Sequence, residues 1–317
     1  MRHFSALLGI PVILMLAACA QGGGQATDGS TAAPDPHREA FEQRANQVAA
    51  AWQEKTDQGA WQTGFVPLQD LTVVGDDAQF TDATKQAFAA GWYRDQVRPP
   101  TKQPTDGTIT FADGNLDVPL VSAAQAYQEI DHGDPPPCPG RPAAPPPAPT
   151  GGPDDPTSSG TSDACIPLTV TAIELGSTTL RTSRGEATVP AWLFTIEELG
   201  AQVARVAVEP SAVTAVPEPS PPAETAEPEL VAAQDLTAVD GAELTYRLGV
   251  GACDENITPL VQERDDVVLV GGAVTRSSEV CTDQLLIEPV TVTLDEPLGE
   301  RPVLDALTGQ VLILTNG

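Results

Sequence analysis

The chain reads as an α+β protein: an N-terminal lobe with helices and a β-hairpin, then β-rich segments, separated by Pro-rich disordered stretches. Three observations predict this class. Apolar residues recur at helical spacing from Phe41 to Trp52. In the second half Val, Ile, Leu and Tyr alternate with polar residues at the two-residue period of strands. Two long stretches dominated by Pro, Ala, Gly and Glu interrupt these patterns and cannot bury a core.

At the start, Met1-Arg2-His3 is a short basic segment, Phe4 to Leu16 is a run of thirteen apolar or small residues, and Leu16-Ala17-Ala18-Cys19 follows at once. Such a run falls short of the about 20 residues that span a membrane and has the length of an export-signal core. Leu-Ala-Ala-Cys resembles the lipobox of bacterial lipoprotein precursors. The resemblance implies that residues 1–18 are a signal peptide, that a diacylglyceryl group is placed on the Cys19 thiol, and that cleavage makes Cys19 the first mature residue. The competing reading is an ordinary export signal with an incidental Cys19. Each buried methylene contributes about 0.8 kcal/mol, so two or three acyl chains anchor a protein durably. Residues 19–35 read as a flexible tether with a span of about 20–24 Å, beyond the Debye length of about 8 Å at physiological salt.

Residues 36–133 form the predicted first lobe. Asp35-Pro36 suits an N-cap and first helical position, and Phe41, Ala45, Val48 and Trp52 mark the buried face of a helix. Thr81 caps a second helix that contains Ala83, Ala87 and Phe88 and ends near Gly91. Ile109 and Phe111 face Leu116, Val118 and Leu120 across Asp113-Gly114-Asn115, a hairpin signal. Ser122-Ala-Ala-Gln125 matches a capping box and opens a third helix with Tyr127 and Ile130.

Residues 134–164 are a Pro-rich loop, with 11 Pro between Pro135 and Pro156. Residues 165–208 hold short strands around Leu168-Thr-Val170, Thr178-Thr-Leu180, Val189, Trp192-Leu-Phe194 and Val203 to Val208. Residues 209–229 carry five acids and no base, and read as an extended, self-repelling linker. Residues 230–317 form a β-rich C-terminal domain: Leu244, Tyr246, Leu248 and Val250 alternate, Val267 to Val270 is a continuous apolar run, Val290, Val292 and Leu294 alternate, and Val311 to Leu314 would close a sheet.

Setting Cys19 aside leaves Cys138, Cys165, Cys253 and Cys281. An even number of Cys in an exported chain points to disulfides. Of the three pairings, Cys138–Cys165 with Cys253–Cys281 keeps each bond inside one segment. With 26 and 27 residues enclosed, loop entropy assigns each roughly 3.5 kcal/mol. A zinc site is disfavoured by the lack of any Cys-x-x-Cys and the scarcity of His, of which only His37 and His132 follow Cys19. Neither a metal nor a cofactor is expected.

The segment Pro289-Val-Thr-Val-Thr-Leu-Asp-Glu-Pro-Leu-Gly-Glu-Arg-Pro-Val-Leu-Asp305 resembles the closing region of uncharacterised surface lipoproteins of high-GC actinobacteria, and Thr188-Val-Pro-Ala-Trp-Leu-Phe-Thr195 is similar to the same group. The resemblance covers about the last half of the chain and implies an envelope location, with no activity or catalytic residue attached.

Charge narrows the function further. The 317 residues hold 16 Lys plus Arg against 44 Asp plus Glu, a net charge of -28 with only three Lys. Nucleic-acid binding, which neutralises phosphates with bases, is excluded as a partner class. Gly-x-Ser-x-Gly, Ser-x-x-Lys, Walker A and Gly-x-Gly-x-x-Gly motifs are absent from the sequence. Asp113-Gly-Asn115-Leu-Asp117 begins like a calcium loop but has Val118 in place of Gly and Ala124 in place of Glu. His132, in Asp131-His132-Gly133-Asp134, suits a solvated helix end better than a general base. Carboxylate pairs of a hydrolase leave no sequence signature.

Ten of the 14 aromatics lie between Phe41 and Tyr127. Trp61, Trp92 and Tyr93 are the candidate binding residues, for sugars of wall glycan or for a protein interface; core packing is the competing role. The reading is a lipid-anchored envelope protein, held by the membrane through its lipid, that binds a cell-wall or envelope protein partner and is not an enzyme. The alternatives are a carboxylate-dependent hydrolase of envelope polysaccharide and a passive surface or spacer protein.

Overall fold

Helix α1, Pro36–Thr56, buries Phe41, Ala45, Val48, Ala49 and Trp52 along one stripe, as the spacing predicts. The computed structural model describes residues 36–56, 59–135, 166–219, 221–222, 227–276 and 281–316. A short helix α2, Ala60–Thr63, and strand β1, Thr72–Val74, follow. Helix α3, Asp82–Ala90, starts at a reciprocal cap: Thr84 N–H donates to Thr81 Oγ1 at 3.2 Å and Thr81 N–H to Thr84 Oγ1 at 2.8 Å. It stops at Gly91, whose φ of 68° is the left-handed conformation that glycine adopts without steric cost.

Next come β2, Tyr93–Asp95, β3, Gly107–Phe111, β4, Gly114–Val118, and helix α4, Ala123–Ile130. Pairing of Phe111 with Gly114 places the hairpin turn at Ala112-Asp113, one residue before the predicted centre. At α4 only half of the predicted capping box forms: Ser122 Oγ accepts from Gln125 N–H at 3.2 Å.

The predicted short strands of 165–208 are instead one long hairpin and a third strand: β5, Leu168–Thr182, β6, Gly185–Ile196, and β7, Ala201–Val206. Polar residues such as Glu174 and Ser177 look loop-like alone, yet every residue from Ala172 to Thr182 pairs with β6. The opposite edge of β6 is shared by β7 and, at Thr188, by β3. The resulting seven-stranded sheet runs β1-β7-β6-β3-β4, with β5 on the other side of β6 and β2 parallel to the start of β5. Tyr93, Ile109, Phe111, Tyr127, Leu180 and Phe194 belong to its core.

The rest of the chain adds β8, Leu230–Val231, β9, Ala233–Asp240, β10, Glu243–Gly251, β11, Asp254–Glu263, β12, Val268–Arg276, β13, Leu285–Thr293, and β14, Val303–Asp305. One sheet is β13-β10-β9; another is β11-β12-β14, with β8 also on β12. Val268, Val270 and Val274 of β12 pack against Leu244, Tyr246, Leu248 and Val250 of β10. Val267, Leu269 and Ala273, of opposite parity, pack with Phe41, Ala45, Val48 and Trp52 of α1. This double burial explains the continuous apolar run at the start of β12.

Helix α1 therefore belongs to the core of the C-terminal strands, which corrects its assignment to a 36–133 lobe; an amphipathic stripe specifies burial but names no partner. Residues 65–70 tie the parts together. Phe65 enters the first core while Val66 and Leu68 enter the second, and Leu68 N–H donates to Arg181 O at 2.9 Å while its carbonyl accepts from Leu314 N–H at 3.0 Å. Asp35–Gly317 forms one compact unit, so the three folded segments expected from sequence do not pack separately. By composition the class is mixed α and β with strands dominant.

Two further expectations change. Val311 to Leu314 closes no sheet; it makes single bridges, Val311 to Leu304 and Leu314 to Leu236 and Gln69. The start of the 209–229 linker is pinned: Glu209 N–H donates to Pro119 O at 2.9 Å, Thr214 N–H to Phe65 O at 2.8 Å, and Lys55 Nζ to Glu218 O. Val216 packs on the α1 core, and this anchorage outweighs the self-repulsion of a few spaced acids. Most of the 134–164 loop lies outside the described residues.

Candidate functional site

An open groove of about 540 Å³ lies where α3, the end of α4, β1 and β7 meet Arg247 of β10 and Asn316. Helix α3 presents Lys85, Phe88 and Ala89 to it, positions related by three and four residues on one helical face. Its adjoining face buries Thr84 and Ala87. Gly91 then reverses the chain so that β2 places Tyr93 in the wall. A side chain at Gly91 would also collide with the His132 ring, whose Nδ1 lies 2.6 Å from the Cβ position. The close approach brings exposed His132 to the rim, a helix-end position as expected.

A second hollow of about 260 Å³, lined by Val74, Ala78, Phe80 and Phe88, adjoins the first through Lys85, Phe88 and Asn316. Phe80 and Phe88 meet edge to face, with ring centroids 5.6 Å apart, and Phe80 is 41% exposed. The smaller hollow is lined chiefly by apolar side chains and the larger by charged, polar and apolar ones together, with Lys85 at their junction.

The ionic groups of the larger hollow are mostly engaged. Arg205 Nε and Nη2 donate to Glu129 Oε2 at 3.0 and 2.7 Å, and Nη1 donates to Thr72 Oγ1 at 3.1 Å. Arg247 donates through Nε and Nη2 to the two oxygens of Asp235, leaving Nη1 with two N–H groups. Asp70 Oδ2 accepts from Asn316 N–H at 3.2 Å. Two donors stand out against this background. The Lys85 ammonium forms no ion pair or hydrogen bond among the described residues, and neither does the Tyr93 hydroxyl. Tyr93 is only 4% exposed. Burial, reinforced by neighbouring Tyr127 and Asp131, pushes its phenol well above the ordinary tyrosine range, so it remains an O–H donor at neutral pH.

Of the residues singled out in the sequence, the structure brings Tyr93 to this groove. Trp61 is half-buried against Trp52, with centroids 4.8 Å apart, beside the α1 core. Trp92 packs against the first core. Cys253 and Cys281 form a disulfide that joins the β10–β11 turn to the approach to β13. Cys19, Cys138 and Cys165 lie outside the described residues. Among the described residues, no group of three His, Cys, Asp or Glu is placed to hold a metal ion, and no helix is long and apolar enough to cross a membrane.

Sequence reasoning missed Lys85, Phe80, Arg205, Arg247 and Asn316. The available signal was Lys85 itself, one of three lysines, on the exposed face of a helix already located and three residues before Phe88. No protein-family model, curated protein or solved structure matches the chain.

Proposed function

We propose that the protein is lipid-anchored at the extracytoplasmic face of the cell membrane and acts as a binding module through the groove beside α3. The groove supports binding because it converges unengaged polar donors on an apolar hollow, the usual composition of a ligand site. Its carboxylates, Asp70 and Glu129, are the groups a hydrolase would use here. Engagement of Glu129 Oε2 by Arg205 and of Asp70 Oδ2 by Asn316 favours binding over that alternative. The order of basic start, apolar run and Leu16-Ala17-Ala18-Cys19 supports the anchor.

Cross-linking on intact cells through a photoreactive residue placed at Phe80, with mass spectrometry of the adducts, tests the binding role. Recovery of a defined adduct that Lys85→Gln diminishes is expected. A passive spacer gives none, and a hydrolase instead releases sugar fragments from wall polymer. An inhibitor of lipoprotein signal peptidase should leave a heavier precursor, and an unchanged band overturns the anchor.

A further inference from the structure

We infer that the groove recognises an anionic amphiphile: one carboxylate or phosphate head held by Lys85, Tyr93 and Arg247, and a compact apolar body resting on Phe80 and Phe88. This rests on the groove being the binding site. The argument begins with hydrogen-bonding capacity. Among the described residues Lys85 contributes three N–H donors that meet no acceptor, Tyr93 an O–H that meets none, and Arg247 the two N–H groups of Nη1. The Tyr93 hydroxyl meets no acceptor among the described residues and is not sealed from solvent, so it opens on the groove, where a ligand can take the place of water. Acceptor capacity on the same wall is partly consumed, because Glu129 Oε2 takes both Arg205 donors and Asp70 Oδ2 takes Asn316 N–H. Lys85, Tyr93 and Arg247 Nη1 are the donors this leaves for a ligand, and an acid oxygen is the group that answers them.

The apolar half of the ligand follows from the neighbouring hollow. Phe80 stays 41% exposed although it stacks on Phe88, and Val74 and Ala78 complete an apolar wall reached past Lys85. An ion with no apolar part would leave that wall in water, and a neutral chain would leave the donors unmatched. One molecule satisfies both only if its charged head is attached directly to its apolar body.

The test uses the whole chain and four probes, octyl phosphate, octanoate, octanol and inorganic phosphate, followed by calorimetry and by the amide signals of Lys85, Phe88 and Gly91. Octyl phosphate and octanoate should bind and shift those signals, with octanol and inorganic phosphate at least about tenfold weaker, the scale of one charge-assisted contact. Lys85→Gln should weaken octyl phosphate about tenfold. Phe80→Ala should weaken octyl phosphate and leave inorganic phosphate unchanged, and both side chains are exposed enough that folding is not at stake. Tyr93→Phe should weaken binding without altering urea stability, which a merely structural hydroxyl would change.

Phosphatidylcholine vesicles with and without phosphatidic acid separate the sources. Retention on the acidic vesicles that is lost in Lys85→Gln identifies a lipid headgroup, and binding of the soluble anions alone identifies a free solute. Octanol binding as tightly as octyl phosphate, or indifference of octyl phosphate to both Lys85→Gln and Phe80→Ala, overturns the inference. If neither anion binds but a neutral wall glycan fragment shifts the groove signals, the ligand class is wrong and the binding site stands; if nothing shifts them, both fall.

Discussion

Replacing Phe41 by Ala tests the least expected feature of the fold, the packing of an N-terminal helix into the core of the C-terminal strands. Phe41 is 0% exposed and sits in the cluster that includes Leu260, Leu269 and Leu304. An aromatic side chain buries about 150–250 Å², which at about 25 cal/mol per Å² corresponds to about 4–6 kcal/mol. Alanine keeps part of that area, while the cavity adds a penalty, so the expected loss is about 3–5 kcal/mol. Urea denaturation followed by Trp52 and Trp61 fluorescence reads the change as a lower midpoint at unchanged slope. Phe80→Ala, at an exposed position just before the Thr81 cap of α3, is the control and should stay within about 0.5 kcal/mol of wild type. Gly271 offers an internal check, because a Cβ there would lie 3.2 Å from Phe41 Cε2. Gly271→Ala should therefore cost less in the Phe41→Ala background than in wild type, a non-additivity that only contact produces. A loss below about 1 kcal/mol for Phe41→Ala, or strict additivity with Gly271→Ala, would refute the packing of α1 on β12.

Asp305, fully buried, accepts hydrogen bonds from Ala233 N–H at 2.9 Å and from Thr308 N–H and Oγ1 at 2.8 and 2.7 Å. Asp305→Asn turns an N–H₂ toward those donors and should cost about 1–3 kcal/mol in urea denaturation. Burial pushes the Asp305 carboxyl above its ordinary value, so its contribution is complete below the unfolded pKa of about 3.9 and declines as pH rises through the folded value. Wild-type stability relative to Asp305→Asn should accordingly narrow from pH 4 upward. Asp113 behaves oppositely: its bond to Arg184 holds it below the ordinary carboxylate range, so that pair stabilises above the unfolded value and is lost as pH falls through the folded one. Carbon-13 titration of Asp113 should return to an ordinary midpoint in Arg184→Gln. Reducing Cys253–Cys281, which encloses a loop of sequence separation 28, should lower stability by about 2–4 kcal/mol, with thiol titration confirming two released groups.

Local chemistry was legible and long-range partnership was not. Thr81 and Gly91 bracket α3 because both ends are decided by neighbouring residues: a hydroxyl that accepts an N–H, and a backbone that turns left-handed. The alternation of Leu244, Tyr246, Leu248 and Val250 likewise records one buried face. For α1 the stripe was clear but its destination was not, since the pattern Phe41, Ala45, Val48 and Trp52 fits any apolar surface. The length of β5 was hidden for a related reason. Its exposed middle has no burial to impose alternation, and its strand character comes from pairing with β6. The groove was the least legible element, because Lys85, Arg205, Arg247 and Asn316 converge from separate stretches of chain.

The net charge of -28 acquires a different meaning beside this groove. A protein so acidic repels an approaching anion, but with a Debye length of about 8 Å at physiological salt that repulsion is screened at long range and is felt only near contact. Long-range steering therefore cannot select the proposed ligand. Selection rests on short-range contacts: Glu129 and Asp235 balance the charges of Arg205 and Arg247, so Lys85 supplies the net positive charge while Tyr93 and Arg247 Nη1 add donors. What distinguishes the site is an ammonium and a phenol that meet no partner among the described residues, beside the exposed ring of Phe80. On that account the acidity discriminates against anions that lack an apolar body, because they gain too little at contact to offset the repulsion they meet on approach.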